Sequence, residues 1–271
     1  MLCAPLAWGE PAGETMSDHT LRLLLERQRA LFVEAGKQGD KLDGDSFQAQ
    51  VQALAHNYEM FLRNNPASAE GHAAYGYLLG KVDMRKESLA MLMKANRLDS
   101  KIPLVKNQIG NLLAEAGKPL EAVSYFLAAI ELAPKEPLYH YQLGMLLVEA
   151  RDDFLKAGEW TRASLDRNMH AAFQQATLLA PDRLEFAYRY AESFYDFEHP
   201  DWDAALKAWS GLEERAETPI ERETMRLHAA NILLKQGKID HARLVLTLVS
   251  EPALETQKQK LVAQLPGDSA K

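Results

Sequence analysis

The sequence predicts an all-α protein built from stacked helical hairpins, and three observations carry that prediction. A short motif recurs at a fixed period: Gly76-Tyr77-Leu78-Leu79, Gly110-Asn111-Leu112-Leu113 and Gly144-Met145-Leu146-Leu147 lie 34 residues apart. A second series follows the first at the same period. Phe126, Ala129 and Pro134 repeat Tyr58, Phe61 and Pro66 two periods on, and Phe173, Ala176 and Pro181 repeat them again after a 13-residue insertion. No segment shows the sustained two-residue alternation of a half-buried strand.

Each element follows from local chemistry. A first hairpin is expected over 20–65, with the turn Glu34-Ala35-Gly36-Lys37 and a long polar linker at 38–46. The clearest repeats cover 67–183. Glu115-Ala116-Gly117-Lys118 and Gln236-Gly237-Lys238 read as glycine turns between paired helices. Pro66, Pro134 and Pro181 end second helices, because proline cannot continue the hydrogen-bond ladder. The insertion, 152–164, carries Phe154 and Trp160, which are expected to fold back on the scaffold. Asp152-Asp153 reads as a solvated turn, since consecutive helical residues diverge by about 100°. A degenerate hairpin follows at 184–216, where Ala191 stands for the glycine and Ala205 and Trp209 for the second-helix pair. Another spans 223–249, with Ala230 and Ala242. A capping helix is expected over 251–264, polar on one side.

A 34-residue helix–turn–helix unit with these residues resembles the tetratricopeptide repeat. The family's small first-helix residue matches Gly76, Gly110 and Gly144, its Ala-x-x-x-Phe matches Ala122 and Phe126, and its closing proline matches Pro66, Pro134 and Pro181. The family's early aromatic is replaced by His72, Lys106 and His140, and its later tyrosine by Leu79, Leu113 and Leu147. The resemblance implies a right-handed superhelical solenoid of about six hairpins over 18–265, between terminal segments 1–17 and 266–271. It also implies a protein that binds a peptide or protein partner in a concave groove. First helices line that groove in the family. Positions three before and one after the small residue then give Tyr77, Asn107, Asn111, Tyr141, Met145, Tyr188 and Glu192, with Ala73, Leu227 and Asn231 beside them and Tyr195 one turn beyond Glu192. Amides can hold a peptide backbone, and tyrosines supply contact area with a polar tip. The competing reading is that some of these tyrosines pack between neighbouring helices. The carboxylate clamp of some co-chaperones does not fit, because Gln142 and Glu185 stand where its other groups would be and only Arg189 matches.

Composition restricts the remaining functions. Acidic residues outnumber basic ones, 38 to 31, giving a formal net charge of -7. No basic block stands out, so nucleic acid is not an expected partner. The single cysteine, Cys3, cannot form an internal disulfide or a zinc site. The eight histidines are scattered, and no catalytic motif or phosphate loop is present. No enzyme activity, cofactor or metal is expected, and no apolar run approaches the ~20 residues of a membrane span. Met1–Trp8 is mostly apolar, and Ala7-Trp8-Gly9 resembles a signal-peptidase site, though a basic start is missing. An interaction scaffold is the leading expectation, and export to the periplasm, which the N-terminus suggests, would place it in bacterial envelope assembly or secretion. The alternatives are a cytoplasmic location and, for function, a helical regulatory subunit of a larger enzyme complex.

Overall fold

The computed structural model describes residues 15–266. The suggested signal segment therefore lies outside the described residues, as does most of the 266–271 tail. Fourteen α-helices and three short 3-10 turns make up the elements described, with no strand among the described residues. The chain forms two compact units, Met1–Ala116 and Gly117–Lys271.

The first unit holds α1 (Met16–Gln38), α2 (Gly44–Asn64), α3 (Ala69–Lys81), α4 (Arg85–Leu98) and α5 (Pro103–Glu115). Each helix packs on the next. Thr15 opens α1 with a capping box: its hydroxyl accepts from the Asp18 N–H, and the Asp18 carboxylate accepts from the Thr15 N–H. Asp43 and Ser68 cap α2 and α3 in the simpler way, and proline occupies the first turn of α5. Tyr58 is wholly buried, stacks on Tyr75 with ring centres 5.7 Å apart, and donates its hydroxyl proton to Gln28 Oε1 at 2.6 Å.

Two details of the first hairpin differ from the sequence expectation. Gly36 is helical rather than a turn, because α1 continues to Gln38 and the positive φ of 50° falls at Gly39 instead. The linker is correspondingly shorter than 38–46: a 3-10 turn covers Gly39–Lys41, and α2 begins at Gly44, held by the Asp43 cap. The later glycine turns are as expected, with φ 71° at Gly117 and 72° at Gly237.

The second unit holds α6 (Pro119–Leu132), α7 (Pro137–Glu149), α8 (Arg151–Ala157), α9 (Arg162–Leu179), α10 (Leu184–Ser193), α11 (Trp202–Glu213), α12 (Pro219–Lys235), α13 (Ile239–Thr247) and α14 (Glu255–Val262). The pairs α7–α9, α10–α11 and α12–α13 pack as hairpins, and α14 packs against α12 and α13. Pro66, Pro134 and Pro181 each fall two residues beyond the last residue of α2, α6 and α9.

The insertion is helix α8 and the turn after it. Phe154 is fully buried with Trp160 5.7 Å away, so these aromatics do fold back. Asp152 and Asp153 lie exposed in the first helical turn of α8. An ion network fastens this segment: Arg151 Nη2 meets Asp166 at 3.3 Å and Asp196 at 3.1 Å, and Arg162 Nε meets Asp166 at 2.8 Å. Asp166 is 2% exposed, so its charge is neutralised by these two guanidinium groups rather than by water.

Two of the repeated glycines sit at close contacts between helices. A Cβ on Gly76 would stand 2.8 Å from Leu92 Cγ on α4, and one on Gly144 would stand 2.6 Å from the Phe173 ring on α9. Ala191 and Ala230 take the equivalent places on α10 and α12, and both are fully buried.

The candidate peptide-binding face

First helices of successive repeats bring the expected groove residues to the two units separately. In the first unit, Tyr77 on α3 is half-buried, with the Lys81 ammonium 5.4 Å from its ring centre. Asn107 on α5 is wholly buried, and Asn111, one turn on, is half-buried. The Asn111 amide donates to Asn107 Oδ1 at 3.5 Å. Asn107 therefore helps set the Asn111 side chain, and of the two amides only Asn111 reaches solvent.

In the second unit, Tyr141 and Met145 of α7, Tyr188 and Glu192 of α10, Tyr195 of the turn after it and Asn231 of α12 are all half-buried. Tyr141 on α7 packs its ring 4.7 Å from Phe186 and 5.8 Å from Phe173. Its hydroxyl contacts Glu185, and burial with the nearby carboxylate pushes its ionisation upward. Arg189 on α10 lies 5.0 Å over the Phe173 ring and pairs with Glu192 at 3.1 Å. Met145, one turn beyond Tyr141, is also half-buried. The Tyr141 and Tyr188 rings thus pack against neighbouring helices, as the competing reading of the tyrosines expects.

Tyr188 and Tyr195 meet at His228 on α12. Its Nε2 lies 3.2 Å from the Tyr188 hydroxyl and its Nδ1 lies 3.3 Å from the Tyr195 hydroxyl. The imidazole stacks flat on the buried Trp209 indole, centres 3.7 Å apart and planes within 1°. The Asn231 side chain neighbours the Tyr195 hydroxyl. Burial lowers the His228 pKa to about 4, so the ring is neutral at pH 7, and burial raises that of Tyr195 to about 12. Tyr188 also lines an apolar cleft of about 310 Å³ with Leu184, Leu212, Ile220 and Met225.

Sequence reasoning missed His228. It took the positions three before and one after Ala230, which are Leu227 and Asn231. The structure buries Leu227 in the core and brings His228 to Tyr188 and Tyr195 instead. The signal was present two positions before the last four small residues, where Gln108, Gln142, Arg189 and His228 form a polar series that Ala74 does not share. Among the described residues, no group of three or more His, Cys, Asp or Glu could hold a metal ion. No helix there is long and apolar enough to cross a membrane.

Comparison with known proteins agrees with this architecture. The tetratricopeptide-repeat family model matches residues 105–136. No curated protein matches the sequence. Among solved structures, the fold is similar to YrrB, described as a TPR protein with an unusual peptide-binding site (TM-score 0.63, 17% identity, covering 77% of this chain and 99% of that one). It is similar to PilF of Pseudomonas aeruginosa (TM-score 0.61, 15% identity, covering 92% and 100%). It also resembles part of the Naa15/Naa10 complex bound to HypK-THB (TM-score 0.60, 15% identity), with 93% of this chain covering 34% of that one. The chain thus carries a tetratricopeptide repeat at 105–136, and its helical hairpins have the fold of tetratricopeptide-repeat structures.

Proposed function

We propose that the chain binds a protein partner through an extended peptide segment laid across the first helices of its repeats, and that it carries out no chemistry of its own. The principal face is the band of Tyr141, Met145, Tyr188, Glu192 and Tyr195, with Arg189 and His228. Tyr77 and Asn111 offer a smaller set on the first unit. The observation that carries this reading is that Tyr141, Met145, Tyr188, Glu192 and Tyr195 are all half-buried on α7, α10 and the turn after α10, with Tyr188 and Tyr195 hydrogen-bonded to His228 of α12 and Glu192 paired with Arg189. Half-buried tyrosines held by packing lose little entropy on binding and give large contact area, which is the usual character of interface anchors. YrrB is described by its peptide-binding site, and the fold similarity makes a peptide ligand the economical choice here. The setting proposed is bacterial envelope assembly or secretion, supported by the apolar stretch Met1–Trp8.

The test is to pan a phage-displayed library of random decapeptides on the full chain and measure the selected peptide by calorimetry. A carboxylate placed at Met145 would sit in the band, so Met145→Glu should weaken binding at least tenfold with an unchanged melting temperature. Leu127→Glu, at an exposed position on α6, should leave affinity within twofold. Failure to select any peptide, or equal losses in both variants, would move the function away from this face.

A further inference from the structure

The cleft beside Tyr188 is a hollow where apolar side chains from three helices meet without closing. Its floor is Leu212 of α11 and Met225 of α12, both buried, and its walls are Leu184 and Tyr188 of α10 and Ile220 in the first turn of α12. Ile220 stays 43% exposed beside about 310 Å³ of open space. That volume is near the lower end of the range for pockets that bury a ligand group. Covering such a surface is favourable, because it removes apolar area from water.

The charges that line the cleft have one sign. Glu185 and Glu221 are there, and among the described residues no lysine or arginine lines it. The cations nearby are already engaged. Arg183 pairs with Glu185 at 3.0 Å and lies over the Phe186 ring. Arg215 and Arg222 donate to the carbonyls of Pro181 and Ala216. Glu221 is held differently from Glu185. Its Oε2 accepts the N–H groups of Glu217 and Thr218, each at 3.0 Å, as the closing half of the capping box of α12. Those bonds keep its carboxyl below the usual carboxylate range, so it is ionised at pH 7. They also fix the side chain, so its charge stands at the cleft before any ligand arrives.

We propose that the cleft takes a bulky apolar side chain of the bound peptide, and that Glu221 pairs with a lysine or arginine next to that side chain. This rests on the reading of the face around Tyr188 as a peptide site, and it names what the site selects. Tyr188 belongs to both: its ring is a wall of the cleft, and its hydroxyl lies 3.2 Å from His228 Nε2. The apolar side chain is the anchor. The basic neighbour adds little affinity, since an exposed ion pair contributes weakly, but it discriminates, because an acidic residue in its place meets Glu185 and Glu221.

Two measurements test this. The first uses short probes in place of a selected peptide. Carbon-13 methyl spectra of the full chain, labelled at isoleucine and methionine, are followed during titration with N-acetyl-leucyl-lysine amide and its reversed-order isomer. One of the two should give saturable shifts at the Ile220 and Met225 methyls, assigned by their loss in Ile220→Val and Met225→Leu. Alanine in place of leucine should abolish the shifts, and glutamate in place of lysine should weaken binding at least threefold. Thr224 lines the cleft and its hydroxyl bonds only within α12, so Thr224→Leu should fill the hollow and abolish the Met225 shift. Glu221→Gln keeps a capping-box residue and should bring the lysine and glutamate probes to equal affinity. The absence of a saturable shift, or equal shifts from the alanine probe, would overturn the proposal whether or not the wider face binds peptides. The second measurement uses the library-selected decapeptides, which should share an apolar residue beside a basic one and lose at least tenfold in affinity for Thr224→Leu. Decapeptides that are weakened by Met145→Glu yet bind Thr224→Leu as well as wild type would leave the face standing and remove the cleft from it. If no decapeptide is selected, the face reading falls and the cleft loses its role as the anchor site, while the probe shifts still decide whether it selects an apolar and basic pair.

Discussion

At the scale of single residues, the informative positions are those where the chain accepts a local cost. Glycine inside a helix is less stable than alanine by about 1 kcal/mol, yet Gly76 and Gly144 stand in helix interiors. The structure shows what offsets the cost: an added methyl would meet Leu92 or Phe173 well inside van der Waals distance. Gly144→Ala should therefore destabilise by about 1–3 kcal/mol despite its better helix propensity. Gly211→Ala, where nothing lies within 4 Å of the added carbon, should be neutral or stabilising by about 1 kcal/mol. Urea denaturation compares the two, and a Gly144→Ala chain as stable as Gly211→Ala would refute the close contact. The histidines that depart from the family pattern also find a reason here. His72 Nε2 lies 3.1 Å from the Pro66 carbonyl, and His140 Nε2 lies 2.8 Å from the Pro134 carbonyl. A carbonyl only accepts, so both rings donate from Nε2 and tie the start of one hairpin to the proline that closed the last. The period of the residues was legible in the sequence, while this use of them was not, because a hydrogen bond between a side chain and a loop carbonyl leaves no periodic trace.

At the scale of elements, helix existence was legible almost throughout, and helix ends were less so. Prolines and the Gly117 and Gly237 turns mark ends reliably because each has a stereochemical requirement. Gly36 misled for the converse reason: a helix can absorb one glycine where the following residues still favour it, and here the chain turns at Gly39. The equivalent of Gly117 one repeat earlier is Asp83, which adopts φ 62° without being glycine. Its carboxylate accepts from Arg85 Nε at 2.6 Å, which holds the turn locally. The 152–164 insertion shows the limit of pattern reading most clearly. Its length was visible from the broken period, and its aromatics suggested packing. The ion network that secures it joins Arg151, Arg162, Asp166 and Asp196, residues as far as 45 positions apart, and no spacing rule connects them. Asp166→Ala should leave the Arg151 guanidinium, itself largely buried, without one of its two carboxylates. The expected loss is about 3 kcal/mol or more. Replacing Asp152, exposed in the same insertion, should change stability by less than about 0.5 kcal/mol. Similar unfolding midpoints for the two variants would mean that the network does not fasten α8.

At the scale of the whole molecule, the fold was legible because a repeat states the same packing problem several times, so that errors in one copy are corrected by the others. The candidate face was legible only as a set of positions. Its chemistry depends on how His228 meets two tyrosines across α10 and α12, and that is a tertiary fact. It has a consequence for the stability of the chain as pH falls. His72, His170 and His228 are all held below the ordinary histidine range, in each case chiefly by burial. A group whose folded pKa is depressed favours the folded state while it is neutral. The unfolded chain takes up the proton first, near pH 6.5, so stability is present above that pH and is lost as pH falls toward the folded value. For His228, with a folded pKa of about 4, the loss is about 2 kcal/mol by pH 5. Two of these three histidines lie in the unit Gly117–Lys271, which also holds Trp160, Trp202 and Trp209. Tryptophan fluorescence therefore reports chiefly on the unit that should weaken. The expected outcome is a urea midpoint by fluorescence that falls clearly between pH 7 and pH 5. In His228→Gln the same change in pH should move the midpoint less, because the group that takes up a proton on unfolding is gone. A wild-type midpoint that is flat across this window would show that His228 is not held neutral by its surroundings.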